Sequence, residues 1–96
     1  MTSKQRAYLK GLAMDLAPVF QIGKSSVTPE NVEAIAETFN TRELIKVAVL
    51  KNCLDDQKEI AAVIAERTHS QVVQVIGKKF VLYKPFKENP KIVLPK

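Results

Sequence analysis

Apolar residues near the start of the chain recur at helical spacing: Leu9, Leu12, Ala13 and Leu16 share one face, which predicts a helix packed on a core. Thr2 and Gln5 stand at the spacing of a capping box and open that helix. Pro18 stops it, and Val19 to Ile22 then read as a short buried strand. After Gly23, a natural place for a sharp turn, Thr28 offers an N-cap oxygen and Pro29 fits the first helical position. The second helix runs to about Phe39, with Val32, Ile35, Ala36 and Phe39 inward and three glutamates outward. Leu44 to Leu50 is apolar on both faces except for Lys46, as a central strand should be.

Asp56 and Glu59 suggest a second capping box for a third helix ending near Thr68, with Ile60, Val63, Ile64 and Arg67 marking its inner stripe and Arg67 free to snorkel outwards. Two alternating strands follow, Val72–Ile76 and Phe80–Lys84, joined across Gly77-Lys78-Lys79 as a tight hairpin. The order predicts an α+β protein (two-layer α/β): one helix, then a βαβαββ core with a mixed four-stranded sheet. The first two strands should be parallel and the last two antiparallel. Residues 1–85 form the expected domain, and 86–96 a proline-containing arm whose Ile92-Val93-Leu94 could dock on a sheet edge.

Composition adds little to this fold but narrows the function. The 96 residues carry a net charge of +5, unevenly placed. Lys4, Arg6, Lys10 and Lys24 outweigh Asp15 in the first 28 residues, the second helix is acidic, and six lysines face only Glu88 after residue 70. Such a polarised field favours a polyanion approaching one side. Cys53 and His69 are single, which removes an intrachain disulfide and gives a metal site no ligand set; no cofactor is expected. No nucleophile–base pair, converging carboxylates or P-loop spacing supports an enzyme. No run reaches the ~18 apolar residues of a membrane span, and no signal-peptide pattern opens the chain, so a cytoplasmic protein is expected.

The turn Gly23-Lys24-Ser25-Ser26 carries the candidate chemistry. Amide hydrogens at a helix start, beside a lysine and two hydroxyls, form an anion site without bond-breaking groups. Gly23, Lys24, Ser25, Ser26 and Thr28 are therefore the candidate phosphate contacts. Arg6 and Lys10 from the first helix would extend the cationic track, with Lys46, Lys78 and Lys79 beyond it. Aromatic stacking has a thin supply: Phe20 and Phe39 fit the core, and Phe80 and Tyr83 lie on opposite faces of one strand. Backbone-led binding of a structured nucleic acid is the expected mode.

Three blocks together resemble one family: Leu16–Lys24, Glu43–Val47 and Val73–Lys84. They are similar to the CRM domain (chloroplast RNA splicing and ribosome maturation) in its stand-alone bacterial, YhbY-like form. The resemblance implies an RNA-binding module with a fold similar to the C-terminal domain of bacterial initiation factor three. It also implies ribosomal RNA in large-subunit precursors as the partner; ribosomal proteins are further candidate partners, and a monomer is expected. The family's loop is usually Gly-x-x-Gly, like the phosphate clamp of KH domains. Here Ser26 stands at the fourth position, and a left-handed backbone there would cost on the order of 1 kcal/mol relative to glycine. Two other classes fit the same residues: a protein-interaction module using the acidic helix and the apolar arm, and a small basic protein binding duplex DNA.

Overall fold

The computed structural model describes residues 1–95; Lys96, the last of the C-terminal lysines, lies outside them. Seven elements follow one another: α1 (Ser3–Ala13), β1 (Phe20–Ile22), α2 (Pro29–Thr38), β2 (Leu44–Val49), α3 (Gln57–Thr68), β3 (Gln71–Ile76) and β4 (Lys79–Tyr83). The strands form one mixed sheet in the order β1-β2-β4-β3, with β1 and β2 parallel and both other pairings antiparallel. The α+β class and the four-stranded mixed sheet expected from the sequence are both present.

Alternation along the strands divides the core in two. Ile45, Val47 and Val49 of β2, with Phe80 and Leu82 of β4, join Ile35, Phe39, Ile60 and Ile64 under α2 and α3. Leu44, Val81 and Tyr83 point the other way, where Leu9 and Ala13 of α1 meet Val73. So α2 and α3 cover one sheet face, and α1 covers part of the opposite one as a further, incomplete layer. Both Phe80 and Tyr83 are buried, one on each side.

The local rules acted as chemistry requires at two helix starts. Thr2 and Gln5 exchange their capping hydrogen bonds at 3.1 and 3.0 Å, and the Thr28 hydroxyl accepts from the Asn31 N–H at 3.1 Å. At the third, Asp56 occupies the N-cap but its side chain makes no cap bond. The inner stripe of α3 also differs from expectation. Ile60, Ala61, Ile64, Ala65 and Thr68 are buried and Val63 is only half-buried, while Arg67 is exposed, as its freedom to snorkel allows. The small residues Ala61 and Ala65 let the helix lie close to the sheet, which rotates Val63 and Arg67 to its rim. The hairpin turns at Gly77, whose φ of 56° suits the position that a type II′ turn reserves for glycine.

The arm after β4 does not pair with a sheet edge. It folds back over the α1 side, where Ile92 and Leu94 pack against the core cluster that contains Leu9, Leu44 and Tyr83. Its backbone is held by Glu43, which is only 4% exposed. The carboxylate accepts from the N–H groups of Phe86 (2.9 Å), Lys91 (2.7 Å) and Ile92 (2.8 Å). Among the described residues, no helix is long and apolar enough to cross a membrane.

Candidate nucleic-acid interface

Parallel pairing of β1 with β2 sets Ile22 beside Val49, and antiparallel pairing sets Ala48 beside Lys79. The loop after β1 and the β3–β4 hairpin therefore emerge at the same end of the sheet. Two backbone bonds fasten that end: Leu50 N–H to the Ile22 carbonyl at 2.8 Å, and Val49 N–H to the Lys78 carbonyl at 2.6 Å. The ladder thereby brings Lys24 and the hairpin lysines, distant in sequence, to one rim.

The loop is a turn closed by the Ser26 N–H on the Gly23 carbonyl at 2.9 Å, with the Ser26 carbonyl accepting from the Asn31 amide at 2.7 Å. Lys24 and Ser25 form its exposed tip. The amide cradle is narrower than the sequence suggests. Ser26 has spent its N–H, Thr28 uses its hydroxyl as the α2 cap and Pro29 has no N–H to offer. What remains for an anion is the tip, the Lys24 ammonium and the serine hydroxyls.

Glycine's freedom would serve position 26 and not position 23. A Cβ at Gly23 would meet only ordinary contacts, at 3.7 Å from Leu50 and 3.8 Å from Asn52. Ser26, in contrast, sits at φ 54°, in the left-handed region. A Ser26→Gly variant should therefore be more stable by about 0.5–1 kcal/mol, read as a raised midpoint of urea unfolding. An equal or lower midpoint would mean that the serine's local bonds outweigh the strain.

The other candidate cations divide into two groups. Lys10, Lys46, Lys78 and Lys79 line one groove of about 470 Å³ between the end of α1 and the sheet, over a floor of Ala13, Val81 and Gln74. Among the described residues, no carboxylate lines it. Met14 and Ile76, respectively 80% and 57% exposed, edge the groove. Arg6 lies apart from this set. Its Nη1 donates to the carbonyls of Val72 (2.6 Å) and Val73 (2.8 Å), where the register of β3 on β4 slips between Val72 and Gln74. Lys84 is likewise engaged, its Nζ donating to the Thr68 carbonyl at the end of α3 at 3.0 Å.

Sequence reasoning missed two features of this end. Lys51 and Asn52 follow β2 and so stand beside the Gly23 loop; the parallel pairing was the signal that could have found them. A second groove, of about 390 Å³, separates the loop from α3 and is lined by Ser25, Ser26, Val27, Asp55, Glu59, Ile60, Val63 and Arg67. Carboxylates thus stand across from the serines on one side of the loop.

A helix-faced mixed sheet with Lys24 on an exposed loop and a lysine-lined groove at one rim defines a small α+β domain. Its family follows from comparison. The model of the CRS1/YhbY (CRM) domain matches residues 1–84, and the chain belongs to this family. It is 45% identical over 95 residues to the Bacillus subtilis protein named "Probable RNA-binding protein YqeI", covering 99% of each chain. It is 38% identical over 96 residues to a Haemophilus influenzae protein named "RNA-binding protein", covering 100% of this chain and 96% of that one. The solution structure of the hypothetical protein SAV1595 from Staphylococcus aureus has the same fold, with a TM-score of 0.84 at 47% identity over 99% of both chains.

Proposed function

We propose that this protein binds structured RNA by its sugar-phosphate backbone, in precursors of the large ribosomal subunit, as a non-enzymatic assembly factor acting as a monomer in the cytoplasm. The observation that carries the reading is the convergence of Lys10, Lys46, Lys78 and Lys79 on a groove that no carboxylate lines among the described residues, at the sheet end from which the Gly23–Ser26 loop emerges. Four ammonium groups with no acid among the described lining residues can neutralise phosphates, and the cations condensed on an RNA backbone are then released with a gain of entropy. The RNA-binding names of the relatives support the same polyanion. Lys24 and the serine hydroxyls serve as a second grip on the same strand, or on its partner.

A Lys10→Ala, Lys78→Ala, Lys79→Ala variant tests this directly. For each phosphate that the variant no longer neutralises, the slope of log K against log salt should flatten by roughly 0.7–0.9 on large-subunit RNA. The three side chains are exposed and the fold should persist. An unchanged slope in a folded variant would put the interface elsewhere.

A further inference from the structure

Resting on the reading of this chain as an RNA binder, we propose that the groove between the loop and α3 holds one unpaired guanine base. Glu59, Val63 and Arg67 are spaced four apart, so they form a single ridge along α3 facing Ser25, Ser26 and Val27. The ridge sets its carboxylate and guanidinium backbones about 12 Å apart along the helix axis. Between them the floor is apolar: Ile60 is buried, and Val27 and Val63 are half-buried. The volume of about 390 Å³ lies within the range of small-ligand sites. An aliphatic floor with polar groups at both ends suits a flat heterocycle lying on its face.

Position selects the ligand class. Ser25 and Ser26 belong both to this groove and to the loop that offers itself to phosphate. A nucleotide whose phosphate rests on the tip thus has its own base at the mouth of the groove.

Hydrogen-bond chemistry selects the base. An ionised carboxylate can only accept. Guanine presents two adjacent donors on its Watson–Crick edge, the N1 hydrogen and the N2 amino group, which match the two oxygens of one carboxylate. Adenine and cytosine present one amino group, and uracil one imide hydrogen. Arg67, which can only donate, is matched by the O6 and N7 acceptors of the same purine. A base read on its Watson–Crick edge cannot also be paired. The target is therefore a guanosine extruded from, or looped beside, the duplex whose phosphates the lysine groove would hold without reading sequence.

The test uses the full chain and one hairpin RNA carrying a single bulged nucleotide: guanosine, inosine (which lacks the N2 amino group), adenosine, or no bulge. Equilibrium anisotropy at one salt concentration should show the guanosine bulge bound about five- to twentyfold more tightly than the inosine one. Glu59→Ala, an exposed change on a helix, should erase that preference and leave the affinity for the unbulged hairpin as it was. Wild-type affinities for all four RNAs within twofold of one another would overturn the guanine pocket and leave the RNA reading standing. A uniform rise in affinity for every RNA on Glu59→Ala would overturn it too, since the carboxylate would then act only by repulsion. Failure of the wild type to bind any of the four would overturn the RNA reading, and the pocket with it.

Discussion

Replacing Glu43 by alanine should cost about 2–4 kcal/mol of stability and release the chain after β4 from the α1 side. The buried carboxylate accepts three backbone N–H groups, from Phe86, Lys91 and Ile92. Hydrogen bonds to a charged acceptor are the stronger kind, and donors stranded without one are costly unless water reaches them. The cost stays below the sum of three such bonds because an undocked arm would rehydrate those groups. Release also takes Ile92 and Leu94 away from the core cluster on the α1 side, against which they pack. Chemical denaturation gives the first quantity, and limited proteolysis between residues 86 and 94 the second. A loss below about 0.5 kcal/mol would fall in the range of ordinary surface changes and refute the clamp.

The same interaction sets a pH dependence. Burial pushes the Glu43 carboxyl up, but the three N–H groups and the nearby Lys91 charge outweigh it, so its pKa lies below the ordinary glutamate value of 4.5. A carboxyl lowered on folding contributes stability that is complete above its unfolded pKa and disappears as pH falls through the folded one. The stability gap between wild type and Glu43→Gln should thus be widest at neutral pH and shrink below about pH 4. Tyr83 responds to the same neighbour: burial first, then the Glu43 charge, raise its phenol above the usual 10.0. Its ionisation lies too far toward alkali to confuse the acid limb.

How much of this was legible before folding depended on the distance over which each signal acts. Thr2 with Gln5, and Thr28 with Pro29, are helix starts written within four residues, and both read correctly. The β-hairpin was legible for the same reason, since Gly77 and its flanking strands are adjacent. Glu43 was not. Its three partners lie 43 to 49 residues away, and a glutamate before a strand resembles any surface acid until the arm returns to it. Asp56 shows the converse: a correct capping spacing with no side-chain bond formed. The candidate site was legible in part. Residue types marked the loop and the lysines. Only the strand ladder shows that Lys46, Lys78 and Lys79 share a groove with Lys10, and that Lys51 and Asn52 flank the loop.

Arg6 illustrates the ambiguity most sharply, and its replacement should have the second large effect. On the helix flank it reads as part of a cationic track, one turn from Lys10. In the folded protein it is half-buried, and its Nη1 bonds two successive carbonyls, Val72 and Val73, where β3 slips register against β4. A bulge leaves a strand with carbonyls that its neighbour cannot satisfy. A guanidinium from the opposing helix supplies donors there and ties α1 to the sheet. Arg6→Met keeps much of the aliphatic stem and removes the donors, so the loss should be about 2–3 kcal/mol from charge-assisted bonds, reduced by partial exposure. RNA binding separates the two roles. If Arg6 serves only the bulge, Arg6→Met, measured well below its unfolding midpoint, should retain the wild-type salt slope. A slope flattened by the 0.7–0.9 of one phosphate, with little change in stability, would return Arg6 to the binding surface.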